Sequence, residues 1–102
     1  MLRSYSYAAW SGLFAWSRAH DASALERGPW ATLWETSLAS AFLSSYFADT
    51  QDASFIPADS AQLSTLLELL MIDKALYELQ YELNNRPDWL PVPVEGLLRL
   101  LR

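Results

Sequence analysis

One run dictates most of what this chain can fold into: the stretch from Asp59 to Asn85, which opens on a helix start signal and closes on a stop signal. Pro57-Ala-Asp-Ser places Asp59 as an N-cap, with Gln62 three residues later in the position of a capping box. Asn84-Asn85-Arg86-Pro87 closes the run, because Asn tolerates a left-handed exit and Pro87 disfavours helix at Arg86. The roughly 26 residues between predict one helix near 39 Å long, at about 1.5 Å of rise per residue.

Periodicity predicts two helices ahead of it. Over residues 2 to about 19, Leu2, Tyr5, Ala9, Leu13 and Trp16 recur near one face, Trp10 and Phe14 widen that face, and Gly12 is a weak point. A polar connector, His20 to Pro29, ends in Gly28-Pro29, which suits a helix start. The second helix is expected from Trp30 to Phe47, with Trp30, Leu33 or Trp34, Leu38, Ala41, Phe42 and Ser45 on an apolar, aromatic side that must pack on something. After Pro87, Trp89-Leu-Pro-Val-Pro reads as extended, and Glu95 to Leu101 as a short terminal helix. No stretch alternates at period two for long enough to be a strand, and there is no internal repeat. The expected fold class is therefore all-α, with three main helices plus a short terminal one.

A length of 102 residues bounds the chain to one helical domain or subdomain, spanning 1–102, near the size at which a single core is adequate but not generous. Five Trp, five Tyr and four Phe are more aromatic surface than a few small helices cover easily, so a neighbour is expected, a second copy of the chain among the candidates. The formal charge of −5, with seven scattered basic residues, argues against nucleic acid and anionic membranes. Arg3 ahead of the mostly apolar Tyr7–Trp16 faintly resembles a signal peptide, but Ser4, Ser6 and Ser11 interrupt it and no small-residue cleavage site follows. Glu68, Asp73 and Lys74 break the longest apolar window short of the roughly 18 residues a membrane span needs. A soluble, cytoplasmic protein is expected, which the absence of cysteine suits.

Chemistry concentrates in the second half of the long helix. At roughly 100° per residue, Lys74, Tyr77 and Tyr81 fall on one stripe, with Glu78 and Glu82 beside it. An ordinary amphipathic helix places aliphatic side chains along such a line. A Lys followed by two Tyr offers donors, acceptors and aromatic faces that suit a polyhydroxylated ligand. Each residue also has a plainer reading: Lys74 as a snorkelling side chain or a partner of Glu78, the Tyr pair as core, and Glu78 and Glu82 as solvated face. Glu82 and Arg86 have the favourable order for an ion pair, and Arg86-Pro-Asp-Trp89 reads as a latch in which Trp89 folds back on the helix.

Catalytic groups are sparse. His20 is the only histidine and lies in a polar connector, Asp49 and Asp52 sit in a loop with no apolar setting to raise either pKa, and three scattered glycines make no phosphate loop. No catalytic residue and no metal ligand is assigned.

The segment Lys74-Ala-Leu-Tyr-Glu-Leu-Gln-Tyr-Glu-Leu-Asn-Asn-Arg-Pro-Asp-Trp89, followed by Pro-Val-Pro and a Leu-rich tail, resembles the C-terminal signature of the maltokinases, often fused to trehalose synthase. Met1-Leu-Arg-Ser-Tyr-Ser-Tyr-Ala-Ala9 resembles the segment that follows those enzymes' ATP-binding residues. The likeness spans the chain, with motifs at both ends and a helical pattern between. It implies the helical C-terminal subdomain of an aminoglycoside-phosphotransferase-like, protein-kinase-like fold, and a fragment of a longer kinase chain. The implied activity is that of the parent enzyme, which makes maltose 1-phosphate from maltose with ATP and Mg²⁺ on the route from trehalose to glycogen and α-glucan. It further implies that Lys74, Tyr77 and Tyr81 line the maltose pocket, with Glu78, Glu82 and Arg86 as supporting residues, and that an upstream kinase lobe or trehalose synthase domain is the partner. On that reading the 102 residues recognise substrate and transfer no phosphate alone. The alternative is a free-standing helical interaction or oligomerisation module whose aromatic faces meet another chain.

Overall fold

The computed structural model describes residues 1–102, and every regular element in it is helical. Four α-helices follow in order: α1 Leu2–His20, α2 Gly28–Asp49, α3 Ser60–Asn85 and α4 Pro91–Leu100. Short 3₁₀ turns at Ala24–Arg27 and Pro87–Trp89 lead into α2 and α4. The chain divides into two compact units, Met1–Asp49 and Thr50–Arg102. No helix is long and apolar enough to cross a membrane.

The first unit is a hairpin of α1 and α2. Asp21 ends α1 in the left-handed region at φ 49°, and the Ala22 N–H returns to the Ser17 carbonyl at 3.2 Å. Near the start of α1, Tyr5 meets Phe42 edge to face at 6.2 Å, while at its end Arg27 lies 4.9 Å over the Trp16 ring. His20 stacks on Trp16 with ring centroids 4.8 Å apart, which ties the lone histidine to the helix end.

The buried line of α1 is Arg3, Ser6 and Trp10, rotated from the expected Leu2, Tyr5 and Ala9 face, which is half-buried. An Arg3 Nη1–H donates to Ser6 Oγ at 3.1 Å, so two polar groups occupy part of that line by satisfying one another. In α2 the buried residues are Ala31 and Glu35, whereas Trp30, Leu33 and Trp34 stay exposed. The aromatic side of α2 that is expected to pack on something is thus left open at Trp30, Leu33 and Trp34. Trp10 of α1 is buried with Ala31 and Glu35, so the hairpin encloses that ring while Trp30 and Trp34 stay open. Gly28 illustrates the fit, since a Cβ there would lie 3.6 Å from the Trp10 ring, an ordinary contact.

In the second unit, Asp59 is the N-cap of α3: its Oδ1 accepts from the Ala61 N–H at 2.9 Å. The far end departs from the expected left-handed Asn exit. Arg86 caps the helix at φ −143° and ψ 74°, outside the helical region that the following Pro87 disfavours. Trp89-Leu-Pro-Val-Pro is not extended either. Pro91 and Pro93 lie in the first turn of α4, where backbone N–H groups have no helical acceptor and proline costs nothing. Helix α4 packs back on α3, burying Val92, Pro93 and Gly96, and α3 buries Ala75, Glu78 and Glu82.

Candidate functional site

Three helical positions build the candidate surface on α3. Lys74, Tyr77 and Tyr81 are all exposed, Tyr77 at 61% and Tyr81 at 46%. The reason lies in the register: Ala75, Glu78 and Glu82, at i, i+3 and i+7, occupy the buried line, so the Lys74 stripe is rotated away from it. Lys74 Nζ stands 4.9 Å from the Tyr77 ring centroid, and Arg86 Cζ stands 5.8 Å from that of Tyr81. Each tyrosine therefore carries a cation, and the two pairs succeed one another along the helix.

Glu78 and Glu82 differ from the solvated face expected of them: both are buried, Glu82 with no exposed surface at all. Like charges one turn apart are tolerable here because Glu82 is engaged. Arg86 donates to its Oε1 through Nη2 at 2.9 Å and Nε at 3.3 Å. Glu82 Oε2 has no hydrogen-bond donor.

The turn after α3 completes the surface. Arg86 Cζ lies 4.4 Å over the Trp89 ring, so one guanidinium links Glu82, Tyr81 and the half-buried Trp89. The latch expected of Arg86-Pro-Asp-Trp89 is present, and its placement against Tyr81 joins it to the stripe. Asn85 Nδ2 donates to the Tyr81 carbonyl at 2.9 Å, which holds the last turn. Arranged in this way, the surface presents two tyrosine rings, each with a cation beside it, to a polar ligand.

No three His, Cys, Asp or Glu side chains gather where they could share a metal ion. Of the three glycines, Gly12 and Gly96 sit inside helices and Gly28 opens α2, so none forms a phosphate-cradling loop.

A second concavity lies in the first unit and was not legible as a site. Ala8, Ala9, Gly12, Leu13 and Ala31 floor an apolar groove of about 330 Å³ between Trp30 and Trp34, which are 60% and 47% exposed. The spacing of the tryptophans pointed to a packed face; the small residues at Ala8, Ala9 and Gly12 were the available sign that they would instead stand as walls.

No protein-family model matches this chain, and no solved structure matches it.

Proposed function

We propose that this chain is the saccharide-recognising part of an ATP-dependent sugar kinase of the maltokinase kind, with maltose as substrate. Lys74, Tyr77 and Tyr81 contact the sugar, and the residues that hold ATP and transfer phosphate belong to a kinase lobe outside these 102 residues. The observation that carries the reading is the exposure of that stripe on a helix whose other face buries two carboxylates: side chains able to bind a sugar face outwards. The sequence likeness at Lys74–Trp89 and Met1–Ala9 supplies the identity of the sugar and the kinase-like parent fold. Recognition proceeds by stacking of sugar C–H faces on the tyrosine rings and by hydrogen bonds from the Lys74 ammonium and the tyrosine hydroxyls.

A coupled ATP assay tests it. The complete natural polypeptide transfers phosphate to maltose, and the 102 residues alone do not; turnover by the 102 residues at a normal kinase rate, roughly 1–100 per second, contradicts the reading.

A second reading, a helical interaction module, is favoured by the exposure of Trp30, Leu33 and Trp34 on one helix. Its partner is another copy of the chain or, under the first reading, the adjoining kinase lobe or a trehalose synthase domain.

A further inference from the structure

We propose that the open face of α3 is a dimerisation seam, which meets the same face of a second copy of this chain in an antiparallel helix pair. The inference goes beyond the aromatic surface of α2 and does not draw on the sugar reading, since Lys74 and Tyr81 lie outside the seam and Tyr77 at its border.

The seam is a matter of spacing. Leu66, Leu69, Asp73, Leu76, Gln80 and Leu83 follow one another at steps of three, four, three, four and three residues, and all six are exposed. That is the a and d pattern of a coiled coil, with leucine at every d position, Leu69, Leu76 and Leu83, and with Leu66, Asp73 and Gln80 at a. At roughly 100° per residue the six fall on one strip, about 26 Å long by helix rise. Ala75, Glu78 and Glu82, the buried line of α3, fall on the opposite side. The helix therefore turns one face to its own unit and a second, leucine-bearing face outwards. The four leucines of the strip are between 41% and 59% exposed. Single exposed leucines are ordinary, whereas four at coiled-coil spacing make a continuous apolar surface.

A second copy fits this strip better than a foreign helix does. Flanking positions of a coiled coil carry the charges that choose between partners, and here Ile72 and Leu79 on one flank and Leu70 and Tyr77 on the other are uncharged. Nothing on the flanks selects a charged partner, and nothing there repels an identical one, although the whole chain has a formal charge of −5. Orientation follows from the two polar a positions. A parallel, in-register pair would set Asp73 against Asp73 and Gln80 against Gln80, with the two carboxylates repelling at closest approach. In an antiparallel pair a faces d, so Leu66 meets Leu83 of the second copy, Leu69 meets Gln80 and Asp73 meets Leu76. No layer then joins two polar groups. The twofold axis passes near Lys74 and Ala75, and the contact closes on itself as a dimer.

The test uses the 102-residue chain carrying Trp30→Gln and Trp34→Gln, so that the rings of α2 take no part. Light scattering from tens to hundreds of micromolar is expected to show a dimer, and Leu69→Gln with Leu76→Gln to return it to monomer while circular dichroism keeps its helix content. Asp73→Leu removes the one charge in the seam and is expected to tighten the dimer about tenfold or more. The chain has no cysteine, so engineered thiols report orientation cleanly. Leu66→Cys and Leu83→Cys chains, mixed in a thiol–disulfide buffer, should form the mixed disulfide in preference to either homodisulfide. A chain that stays monomeric throughout, a dimer that survives loss of both leucines, or a dimer weakened by Asp73→Leu overturns the proposal. Homodisulfides of Leu83→Cys in place of the mixed species overturn the antiparallel pairing.

Discussion

Lys74 holds its ammonium nitrogen 4.9 Å above the ring centroid of Tyr77, one turn further along α3, and both side chains are open to solvent. An exposed cation–π pair of this kind is worth about 0.5–1 kcal/mol. The pair therefore shapes a surface and contributes little to holding the fold.

Truncation at the stripe should consequently be mild. Lys74→Ala and Tyr77→Ala are each expected to cost about 1 kcal/mol or less in urea unfolding, whereas Trp10→Ala, which empties a buried position of α1, should cost about 3–5 kcal/mol. A loss near the Trp10 value at Tyr77 would place that tyrosine in the core.

The N-cap of α3 gives a local prediction. Asp59→Ala removes the acceptor of the Ala61 N–H and should cost about 0.5–2 kcal/mol. Hydrogen exchange should quicken in the first turn of α3 and not at Tyr81; uniform quickening along the helix would mean that the cap governs more than its own turn.

Gly12 offers a gain. A Cβ there meets nothing within 4 Å, and the residue lies inside α1, so Gly12→Ala should raise stability by about 0.5–1 kcal/mol through helix propensity and reduced freedom of the unfolded chain. Thermal unfolding measures it, and a lower midpoint would show that the open floor of the groove is needed for packing.

The Trp30–Trp34 surface is expected to associate. Light scattering at roughly tens of micromolar should detect species larger than a monomer, and Trp30→Gln with Trp34→Gln should leave nothing larger than the α3 dimer. A parent chain that is strictly monomeric at that concentration removes the self-association reading of these rings.

Sequence and structure agree where the signal is local. Asp59 and Pro87 bound α3 because a cap and a proline act on their own turns, and Glu82–Arg86 pairs because i, i+4 spacing brings them together. Burial was less legible, since it depends on what each helix meets. The hydropathy of α2 showed an aromatic side in need of a partner but not which residues meet α1: Ala31 and Glu35 are the buried ones, and Trp30 and Trp34 stay exposed. Glu78 and Glu82 read as solvated charges for the same reason. Helix α4 was read as beginning only at Glu95 because Pro91 and Pro93 look like breakers until they are seen in a first turn. Of the candidate site, the members of the stripe could be named from spacing, whereas their exposure and the anchoring of Arg86 needed coordinates.

The measurement that bears most directly on the central claim is maltose titration of the complete natural polypeptide carrying Lys74→Ala, Tyr77→Ala or Tyr81→Ala, with urea unfolding of each variant alongside. If the stripe recognises sugar, the unmodified protein binds maltose and each variant loses about tenfold or more in affinity, the equivalent of roughly 1.4 kcal/mol, while its urea midpoint stays close to the parent's. Variants that fold normally and bind maltose as well as the parent would contradict the assignment of Lys74, Tyr77 and Tyr81.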